Sequence, residues 1–370
     1  MKVLFTTNVP SPYRVDFFNE LGKLCELTVL FETKSAKSRS EAWEPEIYEN
    51  FRAVFMKGIR VGEAEAFCPE ILNYLSSREY DVIVIGFYSS PTGMLAIEYM
   101  RIRKISFWLS SDGGMEKEDS RLAYKIKKHL IRAASGWLST GAVTSSYLEH
   151  YGADAERICV YPFTSVRKKD ILSHPLTELE KGKIREKLHM PEQKIILSVG
   201  QFIYRKGYDL LLDACEGLPE EIGVYLVGGE PTEEYLKLQR EKKLTHVHFV
   251  GFQKKQELAD YYQAADLFVL PTREDIWGLV INEAMSYGLP IVTTKRCVAG
   301  MEMGQEGKNG YLVEAEDSGM LHHKMLMALE LHGEESLRRA REYTIENMAW
   351  AHMRYFIEGL EGAKHTNGSI

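Results

Sequence analysis

Two short stretches carry the residues whose types and spacing could do chemistry. In the run 271–290, Asp275 and Glu283 stand eight positions apart, with Glu274 beside the first and Trp277-Gly278-Leu279 between them. Carboxylates in such a setting accept hydrogen bonds from hydroxyls, and free backbone N–H groups at a helix start favour a nearby anion. In the run 198–207, Arg205 and Lys206 are adjacent, after Gly200 and just before Gly207. At an effective dielectric of about 20, one charge pair about 4 Å apart is worth about 4 kcal/mol before desolvation. Two cations could therefore hold a diphosphate without a metal, although adjacent cations are also how a solvated helix start reads. A ligand carrying both sugar hydroxyls and phosphate suits these residues.

Such side chains need rigid elements to position them. An apolar strand over 267–270 runs ahead of Asp275. A helix is expected from about Leu279, stopping at Gly288 and Pro290, and a second apolar strand covers 291–294. Strand, loop, helix and strand make a βαβ unit, and its loop lies at the carboxyl end of a parallel strand, where ligands of open α/β sheets bind. The second stretch repeats the arrangement, with a strand ending at Gly200 and a helix over about 207–216. Further strands are expected over 223–227 and 248–250, followed by the turns at Gly228 and at Gly251-Phe252, with a helix over 257–265. The first half reads the same way. Strands are expected over 1–7, 26–31, 81–86, 105–109, 137–140 and 158–162, with a shorter one near 53–55. Helices are expected up to Gly22 and over 69–76, 93–103 and 120–134. A lysine- and serine-rich loop follows Phe31. Alternation of this kind implies parallel sheets covered by helices on both faces.

At 370 residues the chain is too long for one ordinary core, so two domains are expected. Composition shifts over 163–176, which reads as the linker. The net charge of −7 argues against a nucleic-acid partner, which would need a basic surface. The five cysteines are widely spaced with no Cys-x-x-Cys pair, which reads as reduced thiols in a cytosol. The chain begins directly with a strand, so no signal peptide is expected, and no apolar run approaches the roughly 20 residues that cross a bilayer. No His/Cys/Asp cluster has metal-ligand spacing.

The run 271–290 resembles the signature of family 4 glycosyltransferases, the retaining enzymes of the GT-B fold. That signature is an acidic residue, seven residues and a glutamate, with Phe/Trp-Gly-Leu inside and Glu-Ala-Met-x-x-Gly-x-Pro after. The family's first acid is usually Glu. Asp275 stands there with Glu274 beside it, and either could touch the donor sugar. The resemblance implies an α/β fold of two Rossmann-like domains. An acceptor-binding domain would span 1–165 and a nucleotide-sugar domain 166–345, with a terminal helix in 346–370 crossing back to the first. It implies that Arg205 and Lys206 hold the donor diphosphate, although the arginine common just after the first glycine is Gln201 here. Glu283 would hold the ribose hydroxyls, with the Gly278 and Leu279 amides near the phosphate. Gly200 and Gly228 would let backbone approach the donor, and Phe252 would lie near the nucleobase.

In the first domain, Asp112 is the polar residue nearest to where many family members carry a histidine that touches the donor sugar. It reads equally as a turn aspartate before Gly113-Gly114. Ser11, Tyr13 and Arg14 occupy the loop after the first strand, where the acceptor is met. The implied reaction is metal-free, retaining transfer from a nucleotide-sugar, UDP by family frequency. The acceptor would be a glycan, a lipid-linked molecule or a small molecule. Arg205, Lys206, Asp275 and Asp112 form the implied catalytic set. Lys125, Lys127, Lys128 and Arg132 on one helix read either as a solvated face or as peripheral contact with an anionic membrane. Two other readings stay open, a nucleotide-sugar 2-epimerase on the same fold and a two-lobed sugar-binding receptor.

Overall fold

The structure is a computed structural model and describes residues 1–35, 47–116 and 118–367, with side chains to residue 361. The lysine- and serine-rich loop expected after Phe31 falls largely on 36–46, outside the described residues. The chain divides into two compact units, Met1–Ser165 with Thr344–Ile370, and Val166–Tyr343.

The first unit opens with β1 (Lys2–Thr7), α1 (Pro12–Gly22), β2 (Glu26–Phe31) and β3 (Arg52–Phe55). A small antiparallel hairpin follows, β4 (Ile59–Arg60) and β5 (Ala66–Phe67). Then come β6 (Val82–Ile85), α2 (Pro91–Arg103), β7 (Trp108–Ser110), α3 (Arg121–Ile131), β8 (Gly136–Ser139), α4 (Ala142–His150) and β9 (Ile158–Val160). The seven-stranded sheet has the order β3-β2-β1-β6-β7-β8-β9, parallel at every pairing. All four residues of β6 are buried, as a strand covered on both faces requires. Pro91 sits in the first turn of α2, where its missing N–H costs nothing, and the Ser90 hydroxyl accepts from the Gly93 amide at 3.0 Å.

The second unit contains α5 (Glu178–Lys187), β10 (Lys194–Val199), α6 (Tyr208–Ala214), β11 (Ile222–Val227), α7 (Glu233–Glu241), β12 (Val247–Val250) and α8 (Lys255–Ala264). It continues with β13 (Leu267–Leu270), α9 (Leu279–Ser286), β14 (Ile291–Thr294), α10 (Val298–Met303), β15 (Gly310–Val313), α11 (Ser318–Ala328) and α12 (Glu334–Glu342). The sheet order is β12-β11-β10-β13-β14-β15, again all parallel. The connections run one way from β10 to β11 and the other way from β13 to β14. The loops after β10 and β13 therefore flank the point where the strand order reverses. Helix α9 ends in a Schellman motif, with the Gly288 amide on the Met285 carbonyl at 3.0 Å and the Leu289 amide on the Ala284 carbonyl at 3.1 Å.

The last helix, α13 (Ile345–Asn367), belongs to the first unit. Its His352 ring lies 4.7 Å from Phe17 and 4.4 Å from Tyr161, and Phe356 meets Trp108 edge to face. No helix of the described residues is long and apolar enough to cross a membrane.

Some expectations change. The helix expected over 69–76 is a 3-10 helix, Pro69–Asn73, tightened where the Tyr74 amide reaches only back to the Ile71 carbonyl at 3.0 Å. Helices α4, α5 and α10, the hairpin of β4 and β5, and strand β15 are additions to the sequence reading. Helix α5 is opened by a reciprocal capping box between Thr177 and Glu180, a signal present in the sequence.

Candidate functional site

The second unit brings the loops after β10 and β13 together. After β10 the chain makes a 3-10 turn, Tyr204–Lys206, and enters α6 through Gly207, which has φ +68°. A side chain at Gly207 would overlap the Pro271 carbonyl, so the loops meet at a distance that glycine alone permits. Gly228, after β11, is likewise pressed against the Gly200 carbonyl with no room for a methyl group.

Around this contact the expected residues converge. Lys206 Nζ lies 2.6 Å from Asp275 Oδ2, each side chain 12% exposed. Arg205 Nη1 donates to the Glu274 carbonyl at 2.6 Å and lies 3.7 Å from Asp275 Oδ1. The Thr272 hydroxyl lies 2.9 Å from the Arg205 carbonyl and 3.0 Å from the Glu274 carbonyl, and its one proton is shared between them. Behind them, the Asp275 amide donates to the Arg296 carbonyl at 2.8 Å, and the Val298 amide donates to the Asp275 carbonyl at 3.2 Å. Cys297 packs beneath, its thiol pushed up to about 12 chiefly by burial and secondarily by the Asp275 charge, which leaves it an inert core group.

Arg205 and Lys206 are thus not a free pair of cations. Asp275 occupies the ammonium of Lys206, and Arg205, the more exposed of the two, is tied to the backbone at Glu274. Glu283 lies on α9 and accepts from the Tyr262 hydroxyl at 3.0 Å. Tyr262 is buried and stacks on Tyr287 at 5.3 Å. Burial first, and the Glu283 charge next, hold its hydroxyl protonated far above the ordinary tyrosine range. Gly278 and Leu279 open α9, and the N-cap residue, Gly278, brings no side chain to cap its first turn. Phe252 projects just past β12, 58% exposed.

The first unit gathers a second cluster. Arg14 and Asp112 form an ion pair, with Arg14 only 4% exposed and the Tyr161 hydroxyl 3.4 Å from the same carboxylate. Tyr13 meets Phe163 edge to face, and the Arg14 guanidinium lies 5.9 Å from both rings. Ser11 is buried at the entrance to α1 and makes no side-chain cap. Arg14 is thus buried and pairs with Asp112 through Nη2, while its buried Nη1 has no hydrogen-bond partner among the described residues. On α3, Lys127 pairs with Asp119 at 2.8 Å, and Lys128 lies over the Tyr124 ring at 5.6 Å. Lys125 and Arg132 are exposed, and so are Leu122 and Ile126.

Sequence reasoning missed Tyr262, Thr272, Arg273, Asp209 and Glu316. Arg273 stands inside the informative run and Asp209 directly follows Lys206-Gly207-Tyr208, so proximity was the available signal. Tyr262 and Glu316 carry none.

Residues 180–347 match the family described as glycosyl transferases group 1. A D-inositol 3-phosphate glycosyltransferase of Xylanimonas cellulosilytica is 32% identical over 283 residues, 69% of this chain and 66% of that protein. A mannosylfructose-phosphate synthase of Agrobacterium fabrum is 35% identical over 161 residues, 40% of this chain and 34% of that protein. The chain thus spans less than two thirds of these curated relatives. Among solved structures, a sucrose-phosphate synthase from Thermosynechococcus elongatus superposes with a TM-score of 0.73 at 19% identity, over 98% of this chain and 100% of that one. Two parallel α/β sheets in this order, with the loops after β10 and β13 joined at the reversal, are the GT-B fold, and residues 180–347 belong to the glycosyl transferases group 1 family.

Proposed function

We propose that the chain moves a sugar from a nucleotide diphosphate-sugar to a glycan, lipid-linked or small-molecule acceptor, in cell-surface polysaccharide or glycoconjugate synthesis. The observation that carries this reading is the meeting of the Tyr204–Lys206 turn with Asp275 beside the reversal of strand order. Arg205 and Lys206 lie there within reach of a diphosphate, and Glu283 on α9 supplies a carboxylate for ribose hydroxyls. No protein nucleophile is needed if the acceptor attacks on the face the diphosphate leaves, with the departing diphosphate taking its proton, and configuration is then retained. Charge growing on the leaving oxygen is met by the Lys206 ammonium, the Arg205 guanidinium and the amides opening α9, fixed before reaction. These cations do the work a divalent metal would do, so the transfer is read as metal-independent. Among the described residues, no group of three or more His, Cys, Asp or Glu could hold a metal ion.

HepE of Anabaena, a neighbour with a TM-score of 0.65 at 18% identity over 100% of both chains, was solved with UDP and glucose, which makes UDP-glucose the first donor to try. Thermal-shift screening of UDP-, GDP- and ADP-sugars is expected to single out one nucleotide. Product analysis with an acceptor panel should then find the transferred sugar with its anomeric configuration kept. A shift by none of them, or an epimerised sugar nucleotide formed without acceptor, would remove the transferase reading.

The face of α3 adds a location. Exposed Leu122 and Ile126 beside Arg121, Lys125 and Arg132 combine apolar and cationic groups as anionic membrane surfaces require. The chain is accordingly read as a cytoplasmic protein resting on the inner leaflet. It should float with vesicles containing phosphatidylglycerol, and Lys125→Glu with Arg132→Glu should abolish this. Flotation unchanged in that variant would exclude α3 as the contact.

A further inference from the structure

The Tyr204–Lys206 turn is held by two side chains that the proposed reaction does not use, Thr272 at the Arg205 carbonyl and, with more contacts, Arg273. Arg273 follows β13 by three residues and satisfies all five of its guanidinium donors. Nη1 donates to the Tyr204 carbonyl at 2.9 Å and to Asp209 Oδ1 at 2.8 Å. Nη2 donates to Asp209 Oδ2 at 2.6 Å and to Glu316 Oε2 at 3.1 Å, and Nε donates to Glu316 Oε1 at 2.5 Å. The guanidinium also stacks on the Tyr204 ring, 3.9 Å from its centroid, while the Arg273 amide donates to the Arg205 carbonyl at 2.8 Å.

One residue thus ties together the turn, the first turn of α6 through Asp209, and the loop after β15 through Glu316. Glu316 has φ +68°, a left-handed conformation that a glutamate adopts only when its surroundings hold it there. Against the burial that would raise it, the Arg273 contact holds the Asp209 carboxyl below the usual range. The Arg273 side chain is 12% exposed and keeps no donor for a ligand.

We propose that Arg273 is the positioning residue of the donor site, fixing the Tyr204–Lys206 turn so that Arg205 and Lys206 face the diphosphate. The inference rests on the donor reading above. Lysine cannot replace it, because one ammonium cannot fork onto two carboxylates and a carbonyl at once.

The test is a double-mutant cycle on the full chain, with UDP affinity read by calorimetry. Lys206→Ala and Arg273→Met should each weaken UDP binding by about tenfold, and the double variant should fall close to either single, because both act through one turn. Arg273→Lys should behave like Arg273→Met. Should Arg273→Met fail to fold, Asp209→Asn, which breaks the same clamp from the other side, takes its place in the cycle. Losses that multiply in the double variant, or unchanged affinity in Arg273→Met while Lys206→Ala weakens it, would overturn the positioning role and leave the donor reading standing. Unchanged affinity in Lys206→Ala, or a wild-type chain that binds none of UDP, GDP or ADP, would overturn the donor reading and this role with it.

Discussion

On the donor reading proposed above, Lys206 serves two anions in turn, the Asp275 carboxylate it meets in this structure and a diphosphate in the donor complex. Asp275→Asn keeps the shape and removes the charge. A largely buried ammonium without its anion destabilises by about 2 kcal/mol, less than a fully buried pair would, since both groups keep some solvent. The expected result is a lower Tm together with a larger upward shift on adding UDP, because the diphosphate then replaces the missing charge. Thermal unfolding with and without UDP measures both, and equal shifts in variant and wild type would show that Asp275 does not compete for Lys206. Arg205, Lys206, Asp275 and Glu283 are legible in the sequence because each lies in a contiguous run with glycines beside an apolar strand. Arg273 is not, because its role depends on partners 64 and 43 positions away. The pairing of Arg14 with Asp112 is hidden for the same reason, although each residue stands out alone.

Among the elements, strands that read as unbroken apolar runs, such as β6 and β13, are legible because a parallel strand covered on both faces leaves no polar positions. Strand β15 escapes because Gly310 opens it at the sheet edge, where a short run carries little signal. Helix α13 is legible from Trp350, Met353, Phe356 and Ile357, yet Trp350 is 64% exposed while His352 is wholly buried. Burial, with the Arg14 charge adding to it against the Met348 carbonyl bond, pushes the His352 ring down to about 3. Unfolded histidine titrates near about 6.5, so between these values the unfolded state binds the extra proton. The stabilisation from burying His352 neutral is therefore complete above about pH 6.5 and declines as pH falls towards about 3. His352→Phe should flatten the dependence of Tm on pH over the upper part of that window. A slope equal to the wild type's would assign the acid sensitivity to other groups.

For the whole molecule, the chain leaves the first unit at Ser165, builds the second, and returns at Thr344. The first unit is incomplete without α13, since Phe5 and Phe17 share a core with His352, and Trp108 packs on Phe356. The second unit has its own core around Ile196, Leu211, Val224, Leu267 and Val292. A chain ending at Tyr343 should keep a cooperative calorimetric transition for the second unit and lose that of the first. Two intact transitions would show that α13 is dispensable.

The pairing of β10 with β13 has a consequence for how the protein is made. Their contact joins Ile196 to Leu267 and Leu197 to Phe268 across the middle of the sheet, and the turn with Lys206 reaches Asp275 only once it exists. A nucleotide that recognises the assembled turn cannot bind a half-built chain, so by mass action it favours molecules in which this seam has closed. On the proposed donor reading, nucleotide supplied during refolding should therefore raise the yield of native protein.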